Sequence, residues 1–177
     1  MLLQRLIYHR ILFLESEPKI EDYENFLKKY SSVLHPNHVI FIDKKYTLAK
    51  MYGRMSGYEA SDMSDEQFQR KRQLCQDVLG LLEKIMPGQT RKKGMMKYEL
   101  HLPLVMICNR NLQRGPACGV PPEVLKKDLK LGLEYLKEGL NILDMEPDGS
   151  FEKKIVEGSK ESITQLEDWV QVVCSSI

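Results

Sequence analysis

A succession of long amphipathic segments, each closed by a strong helix stop, confines this chain to an all-helical architecture. Four of these segments open near Asp65, Lys93, Glu123 and Ser150, about 28 residues apart, close to the spacing of helical repeats. Regular helices joined by short loops describe a scaffold that presents a surface. The loops and strand ends that usually carry bond-making chemistry are scarce.

The apolar spacing predicts seven helices. The first covers Leu2 to Glu15 through Leu3, Leu6, Ile7, Ile11 and Leu14, and Pro18 ends it. The second runs from Ile20 to Leu34 with Ile20, Tyr23, Leu27, Tyr30 and Leu34 on one side. Pro36 disfavours helix at His35 and suits the first position of a third helix, which extends to Tyr52. Gly53 stops it, because glycine alone enters the left-handed region without penalty. Residues 55–63 read as a polar surface loop and candidate hinge around Gly57.

Ser64 and Gln67 form a capping box. The fourth helix then buries Phe68, Cys75, Val78, Leu79, Leu82 and Ile85 and stops at Pro87-Gly88. The fifth runs from Lys93 to Gln113 with Tyr98, Leu102, Val105, Met106 and Leu112 inward and an expected kink at Pro103. Residues 115–122 read as the clearest loop. The sixth helix, Glu123 to Leu143, carries a leucine seam at positions 125, 129, 133, 136, 140 and 143. The seventh, Ser150 to Val173, turns Phe151, Ile155, Ile163, Leu166, Val170 and Val173 inward. The expected product is one domain over 1–177, an antiparallel array resembling tetratricopeptide repeats. Residues 1–54 supply its first helices and 64–174 its helical hairpins.

Charge and cysteine usage narrow the function classes. Twenty-six basic and 25 acidic residues give a net charge of +1, without the basic excess of a dedicated nucleic-acid binder. No apolar run approaches a membrane span. The apolar N-terminal stretch is broken by Gln4, Arg5, His9 and Arg10 and reads as a helix rather than a signal peptide. Cys75, Cys108, Cys118 and Cys174 form no C-x-x-C pair, so the expectation is reduced thiols in an intracellular protein of the cytoplasm or nucleus.

Few residues suggest chemistry. His35-Pro36-Asn37-His38 has the look of a zinc pair or of a base with an orienter, but no third or fourth ligand is readable beside it. The plainer reading is that Asn37 and His38 open a helix and bond its free amides. Cys108 and Cys118 lack a second pair for zinc, and His101 lies two turns from Cys108, about 10 Å away. Buried structural thiols are therefore favoured. Glu99-x-His101 has the wrong spacing for a bundle-core metal pair. The tyrosines at 8, 23, 30, 46, 52, 98 and 135 read as core or core edge, and Trp169 as a seal on the last helix or a contact for a neighbour. Arg91, Lys92 and Lys93, with Lys97 one turn on, form the densest basic cluster and the candidate partner-binding site.

Several stretches, taken in order, show a family likeness. Leu34-His35-Pro36-Asn37-His38, followed by Leu48 and Tyr52-Gly53, resembles the opening helix pair of the C-terminal region of SET-and-MYND-domain proteins, arthropod SmydA-type members in particular. Residues 87–94, Pro-Gly-Gln-Thr-Arg-Lys-Lys-Gly, and then Tyr98-Glu99-Leu100-His101 are similar to the loop between two of that region's helices. Glu146-Pro147 and Leu166-Glu167-Asp168-Trp169 fit its last helix pair. The resemblance implies part of a protein-lysine methyltransferase whose tetratricopeptide-like helices wall a substrate cleft. The zinc-finger cysteines and the motif that binds the methyl donor are absent from this chain, so S-adenosylmethionine and zinc would belong to SET and MYND parts outside it. The expected function is thus a noncatalytic interaction module, with no cofactor, that binds protein partners, favours acidic segments, or helps wall the substrate cleft beside an upstream SET domain. A stand-alone enzyme and an adaptor for chaperone tails are the alternatives.

Overall fold

The computed structural model describes residues 18–176. They form six α-helices and one 3-10 turn: α1 Ile20–Tyr30, α2 Val39–Met51, α3 Asp65–Ile85, α4 Arg91–Arg114, the turn Gly115–Cys118, α5 Pro122–Leu143 and α6 Phe151–Ser176. The fold is all-α. Among the described residues there is no strand, only an isolated bridge between Gly53 and Glu59. The expected helix from Leu2 to Glu15 lies outside the described residues, as does Tyr8.

Chemistry at the helix ends sets the boundaries. At the start of α3, Ser64 Oγ accepts from the Gln67 amide at 3.3 Å, and the Ser64 amide donates to Gln67 Oε1 at 2.7 Å. This is the expected capping box. Gly53, with φ of 91°, follows α2 in the left-handed conformation its role as a stop requires. α1 ends at Tyr30 rather than Leu34, because Ser31 Oγ takes the Lys28 carbonyl at 2.9 Å and the chain turns ahead of His35-Pro36. α2 starts at Val39 rather than Pro36, since His38 is the extended N-cap and its ring accepts from the Ile40 amide at 3.3 Å. Thr90 caps α4, which therefore begins at Arg91, two residues before Lys93. Residues 115–118, read as loop, wind into the 3-10 turn. Segment 55–63 is anchored at several points: the Gly53 amide donates to the Tyr58 carbonyl at 2.8 Å, Tyr58 Oη donates to Glu21 at 2.6 Å, and Met63 is buried.

Each helix packs on the next, and α2 also reaches α4. The main core joins Phe26, Leu48, Phe68, Leu74, Met95, Leu100, Leu136 and Leu143. A smaller one gathers Cys108, Leu125, Leu129 and Val170, with Trp169 packed against it. The leucine seam of α5 is buried except at Leu133, which is half-buried. α4 departs from the expected pattern. Its buried face is Met95, Met96, Glu99, Leu100, Pro103, Leu104 and Cys108, whereas Tyr98, Leu102, Val105, Met106 and Leu112 are half-buried. The helix continues through Pro103. Ile85 and Phe151, expected inward, are 60% and 54% exposed.

The face of α4 is set by glycines. A Cβ at Gly139 would lie 2.7 Å from the Tyr98 amide nitrogen and 3.0 Å from the Gly94 carbonyl oxygen. One at Gly94 would meet Ile142 Cγ2 at 2.7 Å. α4 and α5 therefore touch backbone to backbone, and no rotamer change can make room. Gly139→Ala is expected to destabilise by about 1–3 kcal/mol through overpacking. Gly158→Ala on α6 adds a methyl where nothing lies within 4 Å and should stabilise instead, by about 1 kcal/mol from helix propensity. Urea midpoints moving in opposite directions bear this out; shifts of the same sign refute the close approach.

Candidate functional site

The site is built on an interruption in an apolar stripe. α3 buries Phe68, Leu74, Cys75 and Val78, and Lys71 sits among them, fully buried. A buried ammonium is tolerated only when charge and donors are both satisfied. The Lys71 Nζ donors go to the Ala49 carbonyl at 2.7 Å, the Tyr52 carbonyl at 2.7 Å and Glu99 Oε2 at 2.6 Å. The two carbonyls belong to the last turn and cap of α2, the end of a helix dipole that favours a cation. Glu99, on α4, accepts with its other oxygen from Arg54, in the turn after α2. One carboxylate thus serves two cations, so this buried triad carries a net positive charge. Lys71 and Glu99 are sealed, at 0% and 4% side-chain exposure, and Arg54 at 34% is its outlet to solvent.

Three helices rim that outlet. The Arg54 guanidinium lies 5.6 Å from the centroid of the Phe151 ring, at the first residue of α6. The next residue, Glu152, is 3.7 Å from Arg91 Nε, a loose pair in which Arg91 is 59% exposed. On α2, the Tyr46 ring is approached by Lys50 of the same helix at 5.3 Å and by Lys92 of α4 at 5.7 Å. Burial pushes the Tyr46 hydroxyl up to about 12, with Arg91 and Arg54 drawing it down and Glu152 and Glu99 raising it. Those four charges are therefore near enough to act on the one hydroxyl. Arg91, Lys92 and Lys93 occupy the first turn of α4, which holds no acidic residue. The positive end of a helix dipole disfavours cations there and favours an anion.

The four residues of the expected basic cluster divide between two places. Arg91 and Lys92 lie on this face. Lys93 is 8% exposed and donates from Nζ to the Gly88 carbonyl at 2.9 Å. Lys97 pairs with Glu138 on α5. These two line a separate polar cleft of about 220 Å³ with Gly88, Gln89 and Asn141. At the histidine motif, the ring of His35 accepts from the Asn37 amide at 3.1 Å and that of His38 from the Ile40 amide. His38 thus opens a helix as expected, while Asn37 does not cap it. Burial pushes the Cys108 thiol up to about 12, and its Sγ lies 3.7 Å from the Leu125 carbonyl. Among the described residues no group of three His, Cys, Asp or Glu side chains is placed to hold a metal ion. No described helix is long and apolar enough to cross a membrane.

The periodicity reading missed Arg54, Tyr46, Phe151, Lys71 and Glu99 as site residues. Lys71 had a visible signal, a lysine three residues after Phe68 and four before Cys75 on an apolar stripe. Arg54 had none, because its partners are 45 and 97 positions away. No protein-family model matches the chain, and neither a curated protein nor a solved structure matches it significantly.

Proposed function

We propose that this chain is a noncatalytic helical interaction module that binds an acidic segment of a partner protein on the face formed by Tyr46, Arg54, Arg91, Lys92 and Phe151. The observation that carries the proposal is the first turn of α4, which presents Arg91 and Lys92 on this face and holds no acid at the positive end of a 24-residue helix. That arrangement is unfavourable within the isolated chain and becomes favourable when an anion docks. Arginine and tyrosine on a partly exposed face are also the residue types that dominate binding hot spots. The ordered motifs from His35 to Trp169 support the more specific reading of a tetratricopeptide-like C-terminal region of a SET-and-MYND-domain protein. On that reading the acidic segment belongs to a substrate, a partner or an upstream SET domain. The module acts inside the cell, where the half-buried Cys118 and Cys174 stay reduced.

The test is the double variant Arg91→Glu/Lys92→Glu. Lys93 and Lys97 are left intact because one holds the loop at Gly88 and the other α5. Retention on an immobilised Glu/Asp-rich peptide is expected to fall about tenfold relative to the parent protein, with binding by the parent weakening as salt rises. The variant is expected to keep its fold, because glutamates suit a helix N-terminus and offset the loss of the loose Arg91–Glu152 pair. Equal retention of variant and parent, or equal retention of acidic and neutral peptides, would discard the proposal.

A further inference from the structure

We infer that this face prefers a compact dianion, a phosphorylated side chain, over the single carboxylates of an acidic segment, and that Arg54 sets the preference. The inference presupposes that the face binds acidic segments at all. Glu99 is shared between Lys71 and Arg54, so one positive charge of the buried triad has no internal counterion. Its exposed end is a planar guanidinium, held by Glu99 on one side and placed against the Phe151 ring. That leaves further N–H donors of a pre-oriented fork free for a ligand. Arg91 brings a second guanidinium whose own carboxylate, Glu152, is only loosely engaged at 3.7 Å. Lys92 adds an ammonium over Tyr46. Two forks and an ammonium at a helix N-terminus match the charge and tetrahedral oxygens of a phosphate better than one planar carboxylate. The half-exposed Phe151 and Tyr46 favour a peptide as its carrier, since they offer apolar contacts to neighbouring side chains. At a net charge of +1 the chain has no overall basic excess to draw it to an anionic membrane.

The experiment uses the whole chain and two immobilised peptide libraries, identical except for phosphoserine or glutamate at one fixed position. A third support carries vesicles containing a phosphoinositide. The phosphoserine library is expected to retain the protein about tenfold more strongly than the glutamate library, as doubly charged bidentate contacts are stronger. Inorganic phosphate, added alone, is expected to shift the Arg54 and Arg91 Nε–H resonances. Arg54→Lys should remove the margin, bringing phosphoserine retention down to the level of glutamate retention on the same variant. Phe151→Leu, at an exposed position, gives the same reading should Arg54→Lys unfold. Equal retention on the two peptide libraries overturns the inference and leaves the acidic-segment reading standing; retention on neither removes both. Capture by the vesicles alone assigns the face to lipid headgroups and overturns the inference, as does a margin that survives both variants.

Discussion

Glu99→Ala is expected to lose about 3–5 kcal/mol of folding stability, read from urea midpoints by far-ultraviolet circular dichroism. The loss exceeds that of an ordinary salt bridge because of what remains behind. Lys71 would be left at zero exposure with no carboxylate and only two carbonyl dipoles to face it. Removing Lys71 as well, in Lys71→Met/Glu99→Leu, is expected to recover part of the loss, because the one cation then left without Glu99, Arg54, is open to solvent. Recovery stays incomplete, since the Ala49 and Tyr52 carbonyls lose their donor, at about 1–3 kcal/mol for a buried unsatisfied group. A Glu99→Ala protein that unfolds with the parent would mean that water reaches Lys71.

Leu136→Ala is expected to cost about 2–5 kcal/mol, the range for truncating a buried leucine. Leu136 is 4% exposed at the centre of the α5 seam, in the core cluster that also holds Met95, Leu100 and Leu140. The neighbouring Leu133, on the same seam but half-buried, is expected to lose less on the same truncation. An unchanged midpoint for Leu136→Ala would place the seam outside the core.

What could be read in advance follows the range of the interaction. The capping box at Ser64 and Gln67, the stop at Gly53 and the α5 seam are local or strictly periodic, and all three stand in the structure as expected. The buried face of α4 was misplaced because its position is set by Gly94 pressing on Ile142 and by Gly139 pressing on Tyr98. A glycine contributes no apolar side chain, so a hydrophobic period does not register it. Glu99 fell on the misjudged side and was weighed only for its spacing to His101. The basic cluster was contiguous in sequence, but consecutive helical residues point about 100° apart. That geometry sends Arg91 and Lys92 to one face and Lys93 and Lys97 to the other. Phe151 was placed inside by period, yet it lies at the first turn of α6, where it lies against Arg54 instead of entering the core.

Lys71 also has a consequence for covalent chemistry. Acylation and alkylation of lysine require a neutral amine with an open lone pair and room for the reagent to approach. The Lys71 nitrogen has its donors engaged by Ala49, Tyr52 and Glu99 and lies at zero exposure, so neither condition holds while the array is intact. Solvent-facing lysines such as Lys92 record whatever reagents the protein has met. A mark on Lys71 would record something else, that this particular molecule had come open.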